Sequence, residues 1–223
     1  MLEIGLTGSR YSGKSTVAKI FNQIQIPVFD ADTVLKFILN FRTYVEEPIK
    51  SNVGSFVYKN SFLDPNAFVC DSIFDRTIDV VEFELFQAWE SFKKKHKYSA
   101  YVIFESSIIF ERKWEKKFDR TISVFAPKEE RAMRCKYETG MRVEYIWDLL
   151  GKEMSDLDKN NKSHYIIHNY DSAPDVVEQI NRMDEKIVDL YLSKLNTKRN
   201  LDIDKNKELI TDSLIQNNLR FLM

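Results

Sequence analysis

Gly8-Ser9-Arg10-Tyr11-Ser12-Gly13-Lys14-Ser15 fits the pattern G-x-x-x-x-G-K-[ST], and the residues on either side decide how it is read. Upstream, Leu2-Glu3-Ile4-Gly5-Leu6-Thr7 has the make-up of a short strand; downstream, Val17, Ile20, Phe21 and Ile24 recur at helical spacing. In the order strand, glycine loop, helix, Gly8 and Gly13 reach backbone angles that a β-carbon forbids. Successive N–H groups then converge on phosphate oxygens at a helix N-terminus. Gly8, Ser9, Arg10, Tyr11, Ser12, Gly13, Lys14, Ser15 and Thr16 are therefore the expected nucleotide cradle. Lys14 is expected over the β- and γ-phosphates, and the Ser15 hydroxyl on Mg²⁺, an ion that keeps phosphate oxygens, waters and few protein ligands. The plainer alternative, a glycine turn that merely opens a helix, does not require both flanks.

Working outward, Ile26-Pro27-Val28-Phe29 reads as a second strand that ends in Asp30-Ala31-Asp32, before a helix through Val34, Leu35, Ile38 and Leu39. Carboxylates at the C-terminal end of a strand face the ligand crevice of an open α/β sheet. Residues 43 to 97 are mostly helical in pattern, with a turn expected at Asn60-Ser61 and a helix opening at Asp64-Pro65. Ala100 to Phe104, ending in Glu105, and Thr121 to Ala126, closed by Pro127, read as buried strands of a parallel sheet. Between 127 and 160 charge dominates, and Gly140 and Gly151 interrupt the helices, which suits a closing lid. His164 to His168 makes the last strand, followed by an amphipathic helix from about Pro174 to Leu192, and a polar end with a short helix or frayed segment near Leu209 to Leu219. The aromatic series Phe83, Phe86, Trp89 and Phe92 has helical spacing and is read as core before ligand platform.

The 223 residues, 43% of them hydrophobic, suffice for one substantial core with insertions. The expected division is one domain at 1–200, with its core at 1–39, 98–126 and 161–195, a helical region at 40–97 and a lid at 127–160, and a tail at 201–223. A net charge of -1 offers no basic footprint for nucleic acid. Lys93-Lys94-Lys95 and Lys116-Lys117 read as solvated helix ends. Cys70 and Cys135 form no C-x-x-C pair, which speaks against a disulfide framework or zinc site and for a reducing, cytoplasmic setting. No stretch approaches the roughly 18 apolar residues of a membrane span, and no targeting leader is expected before the first strand. His96, His164 and His168 lack ligand spacing and are assigned no chemistry.

Ile4-Gly5-Leu6-Thr7-Gly8, Ser12 to Ala18 and Ile26 to Asp32 together resemble the opening of the dephospho-CoA kinases. The resemblance continues through Leu63-Asp64, Ile73-Phe74, Ile108 to Glu111, Arg134, Lys159 and Tyr165 to Asn169, spanning about residues 2 to 190. It implies an α/β, three-layer P-loop kinase fold with a parallel sheet, a helical acceptor-binding insertion and a lid. It also implies that ATP phosphorylates the 3′-hydroxyl of dephospho-CoA. The second aspartate of the triplet, here Asp32, is implied to act on that hydroxyl, and Arg134 to serve the phosphates. A carboxylate in reach of an alcohol orients it and accepts its proton, while the rest of phosphoryl transfer is positioning and charge neutralisation. Asp30 is read as an even choice between chemistry and capping the next helix. Glu105 and Glu111 are candidates for holding Mg²⁺ through water, against capping or surface roles. Arg134 has a second reading as an ion-pair partner of Glu130 or Glu138, one helical turn away.

The chain departs from that family's pattern mostly on the acceptor side. Glu138 stands where a phosphate-gripping arginine is usual, and Glu153 where a lid glutamine is. Leu63-Asp64-Pro65 replaces Leu-Asp-Arg, Glu105-Ser106-Ser107-Ile108-Ile109 replaces Asp-x-Pro-Leu-Leu, and no His-Pro pair occurs near Phe83 to Phe86. Arg134, Lys136 and Arg142 are the cations available to compensate. A deoxynucleoside monophosphate kinase is therefore the leading alternative, and a nucleotide-binding module without transfer chemistry the third. Retention of both Lys14 and Asp32 speaks against the last.

Overall fold

The computed structural model describes residues 1–59, 62–63, 71–170 and 172–220. The turn expected at Asn60-Ser61, the helix opening at Asp64-Pro65, and Cys70 lie outside them. Five strands form one sheet: β1 (Leu2–Thr7), β2 (Val28–Asp30), β5 (Tyr101–Glu105), β6 (Arg120–Phe125) and β7 (Tyr165–His168). Their order is β2-β5-β1-β6-β7, and every pairing is parallel. All five residues of β5 are buried, so both faces of the sheet are covered there, as a parallel sheet between helical layers requires. β2 begins later than its apolar run suggests because Pro27 has no N–H to give the ladder; only its carbonyl joins, accepting from Ile103 N at 2.9 Å.

The helices follow the expected sequence with two differences. α1 (Lys14–Gln23), α2 (Ala31–Phe41), α3 (Thr43–Asn52) and α4 (Asp71–Lys95) precede β5, and between α3 and α4 a small antiparallel pair, β3 (Tyr58–Lys59) and β4 (Phe62–Leu63), interrupts what reads as helical sequence. α5 (Lys128–Thr139), α6 (Val143–Gly151) and α7 (Asp156–Lys162) fill the region read as a lid. Gly140, at φ 67°, ends α5 in the left-handed conformation that a β-carbon disfavours. α8 (Ala173–Arg220) does not stop near Leu192, because after Pro174 no proline or glycine interrupts it. By internal contacts the chain divides into Met1–Ile180, which holds the sheet, and the part from Asn181 onward, which continues α8.

The main core lies between β2, β5 and helices α2 to α4, and it is aromatic. Phe104 stacks on Phe86 and on Phe29 at 5.5 Å, and Trp89 meets it edge-on at 5.3 Å. Of the four aromatic residues at helical spacing, Trp89, Phe86 and Phe92 are thus core, whereas Phe83 is 68% exposed. Lys93 is not a free helix-end charge: with Trp89 it reaches Glu3 of β1, the ammonium at 2.7 Å and the indole N–H at 3.0 Å. α4 is thereby tied to the central strand by groups of complementary chemistry as well as by packing. Among the described residues no helix is long and apolar enough to cross a membrane.

Candidate active site

Register brings the chemistry to one edge of the sheet. Leu6 of β1 and Asp30 of β2 both lie opposite Glu105 of β5, so the glycine loop, the Asp30-Ala31-Asp32 triplet and the acidic end of β5 leave the sheet at the same level. That level is the C-terminal edge of a parallel sheet, where such folds bind ligands.

The loop has the backbone geometry that its sequence predicts. Gly13 sits at φ 89° as the N-cap of α1, and a β-carbon there would lie 1.9 Å from the Asn169 side-chain nitrogen. At Gly8 a β-carbon would meet the Val124 carbonyl at 2.4 Å, so the loop lies directly against β6. Tyr11 takes a left-handed angle, φ 62°, without being glycine. Such strain costs on the order of 1–2 kcal/mol and persists where packing over-determines it. Here the ring packs against Cys135, Ile146 and Leu150 of α5 and α6, and burial together with the Cys135 thiol pushes the phenol up to about 12.

The loop carbonyls from Ser9 to Ser12 each accept a hydrogen bond. Arg134 donates to Tyr11 O and Ser12 O, both at 3.2 Å, and to Asn169 O at 2.6 Å; Asn169 donates to Ser12 O at 2.7 Å. Arg131, 3% exposed, donates to Arg10 O at 3.2 Å and pairs with Glu153 at 3.3 Å and Asp156 at 2.7 Å. Asp156 also accepts from the Ser9 hydroxyl at 2.6 Å, and both Glu153 oxygens accept from Arg10 N at 3.1 Å. Bonds to the carbonyls fix the peptide planes of the loop; its Arg10 amide is taken by Glu153 and its Ser12 amide by Ser9 O at 3.2 Å, and the amides at the Gly13 end open α1. Arg134 thus bonds to the loop and to Asn169 rather than to Glu130 or Glu138. Arg131 and Asp156 were not singled out from sequence, where they look like two more charges in a charged stretch; only the fold shows that they meet.

A cleft of about 770 Å³ opens over the loop, lined among others by Lys14, Ser15, Lys19, Asp32, Arg134 and Glu138. The aromatic series of α4 does not line it. Lys14 donates to Ser9 O at 3.3 Å; burial holds its ammonium below the ordinary lysine range, and the Asp32 charge pulls the other way. Ser15 Oγ donates to Glu105 Oε1 at 3.1 Å. Glu105 is 6% exposed, and burial, with Asp30 and Asp32 adding repulsion, pushes its carboxyl up to about 7 while Lys14 and the Ser15 bond restrain it. Asp30 caps α2: its carboxylate accepts from Thr33 N at 2.8 Å and from the Thr33 hydroxyl at 2.6 Å. Glu111 lies apart from the cleft lining and pairs with Lys159 at 2.7 Å. Lys19, at one wall of the cleft, carries a charge that the sequence pattern does not point to.

Comparison with known proteins accords with this geometry. A family model described as dephospho-CoA kinase matches residues 2–175. A protein named dephospho-CoA kinase from Novosphingobium aromaticivorans is 28% identical over 168 residues, covering 74% of this chain and 84% of that one. One of the same name from Aquifex aeolicus is 27% identical over 197 residues, covering 84% and 98%. Among solved structures, TT1252 from Thermus thermophilus superposes with a TM-score of 0.71 at 25% identity, covering 83% of this chain and 96% of that one.

Proposed function

This chain belongs to the dephospho-CoA kinase family, and we propose that it transfers the γ-phosphate of ATP to the 3′-hydroxyl of dephospho-CoA, a step in coenzyme A biosynthesis. One observation carries the reading: Lys14 of the phosphate loop and Asp32 of α2 line a single cleft, close enough for the carboxylate to act on the ammonium's ionisation. A phosphate cradle alone needs no carboxylate opposite it. Transfer to an alcohol does, because the hydroxyl must be oriented and relieved of its proton as the P–O bond forms.

In this reading the loop amides and Lys14 hold the ATP phosphates, and Asp32 orients the acceptor hydroxyl and accepts its proton. Arg134 serves the transfer through the loop it braces. The donor set at Ser15 and Glu105, a hydroxyl and a buried carboxylate crowded by Asp30 and Asp32, fits a hard divalent cation, whose charge would relieve that crowding. Mg²⁺ there would neutralise charge on the β- and γ-phosphates. Glu111 is committed to Lys159 and is left out of this set.

Glu138 favours a second acceptor. A carboxylate lines the cleft where the family pattern has a phosphate-gripping arginine, which reverses the local charge while the phosphate loop keeps its motif. The experiment is ADP formation from ATP and Mg²⁺ with dephospho-CoA and the deoxynucleoside monophosphates offered separately. Turnover with dephospho-CoA is the expected result. Turnover only with a deoxynucleotide would replace this reading by that of a deoxynucleoside monophosphate kinase, and ATP binding without any turnover by that of a non-catalytic module.

A further inference from the structure

Asp32 is held by a pair of hydroxyls that the phosphate-loop motif does not supply. Ser106 Oγ donates to Asp32 Oδ1 at 2.9 Å, and Ser107 Oγ donates to Oδ2 at 3.2 Å. Both serines stand on the turn that leaves β5, and that turn is pinned from two sides. Ser106 is fully buried; its amide donates to Leu6 O of β1 at 3.0 Å, and its hydroxyl also accepts from Ile108 N at 3.5 Å. The Ser107 carbonyl accepts from Lys159 Nζ of α7 at 3.1 Å. Lys159 is 2% exposed, and Glu111 at 2.7 Å supplies its counter-charge.

A carboxylate held through one oxygen still turns about its Cβ–Cγ bond. Held through both, its plane is fixed. Each oxygen has two lone pairs, so one bond apiece leaves each an acceptor position for an alcohol. Ser107 and Asp32 line the same cleft, which is where such an alcohol would arrive. In the Asp-x-Pro-Leu-Leu pattern from which this segment departs, a proline stands at the place of Ser107 and offers no hydroxyl, so the paired grip belongs to this chain's own sequence.

We propose that Ser106 and Ser107 are positioning residues for the transfer, fixing the plane of the Asp32 carboxylate toward the acceptor hydroxyl, with the Lys159–Glu111 pair bracing the turn that carries them. The proposal rests on Asp32 as the group that acts on that hydroxyl. Orientation is worth much in such steps, a misplacement of ~1 Å costing about 10²-fold in rate.

The test is steady-state kinetics of Ser106→Ala, Ser107→Ala and the double variant, each made in the wild-type chain and in Asp32→Asn, with ATP and dephospho-CoA. The double variant should lower kcat by about 10²-fold and leave the KM for ATP within about two-fold, while Ser107→Thr, which keeps the hydroxyl, should retain about half the wild-type kcat. In the Asp32→Asn background the serine changes should cost nothing further, because the group they position is gone. An equal loss in both backgrounds would mean a merely structural role and overturn the proposal, as would a double variant with wild-type kcat. If buried Ser106 cannot be changed without unfolding, Ser107→Ala alone decides, with a loss of about 10-fold expected. An Asp32→Asn enzyme of normal kcat, or a chain silent with every acceptor, would instead sink the reading of the site on which the proposal stands.

Discussion

Glu105 is a carboxylate kept from water beside two others, and its protonation should be visible in the stability of the nucleotide-free protein. Its pKa in the folded chain, about 7, lies above the ordinary 4.5. Between those values the unfolded chain releases a proton that the folded chain retains. Stability therefore falls as pH rises through that window and levels off above about 7. The full difference is on the order of 3 kcal/mol. Glu105→Gln should remove this slope, so that urea unfolding at pH 5 and pH 8 gives similar free energies; an unchanged slope would place its origin elsewhere. Lys14→Ala should nearly abolish transfer, and Asp32→Asn should lower kcat by roughly 10²–10⁴ if the carboxylate takes the proton. Glu138→Arg should raise turnover of dephospho-CoA, since a lost arginine can be worth ~10³ in phosphoryl transfer. No gain would point to compensation by neighbouring cations; of the three named from sequence Arg134 lines the cleft, together with Arg10 and Lys19. At this scale the sequence was most legible where chemistry and spacing coincide, as in the loop and Asp32. It was least legible where a side chain has two uses. Asp30 caps α2 and Glu111 pairs with a lysine, and spacing alone does not tell a buried carboxylate from a paired one.

Between elements, α5 and the residues around α7 meet the phosphate loop through charge. Arg131 is the hub, reaching Arg10 O, Glu153 and Asp156 from a position only 3% exposed. Arg131→Ala would strip Asp156 of its counter-charge and leave Glu153 only the more exposed Arg10 at 3.3 Å. Breaking a buried pair in this way typically costs about 3–5 kcal/mol. The variant should therefore unfold at lower urea and bind ATP more weakly, because Arg10 O loses its donor and the carboxylates that hold Ser9 and the Arg10 amide lose the cation between them; a variant with wild-type stability would show the network to be dispensable. The elements themselves were legible wherever apolar periodicity is strong, as in β5, β6, α1 and α2. The short β3–β4 pair was missed because two-residue strands carry no period. The length of α8 was missed because its distal half is polar: amphipathic spacing fades there, while nothing in the sequence breaks the helix.

For the whole molecule, the family match ends at residue 175, while α8 runs to Arg220. A chain ending at residue 200 should therefore keep its kinetic constants within about two-fold, since chain ends commonly tolerate truncation. A large loss would give the last residues a part in transfer and contradict the division of the chain drawn from sequence. The strand order also bears on how the molecule comes into being. β1 is written first, yet its partners are Tyr101–Glu105 on one side and Arg120–Phe125 on the other. During synthesis at about 5–20 residues per second, the central strand waits for many seconds with neither neighbour made. Pairing across such sequence distances is slow to nucleate and exposes apolar edges meanwhile. The nascent chain therefore carries an unpaired central strand until β5 and β6 have left the ribosome, and before then the glycine loop lacks the strand that Gly8 lies against.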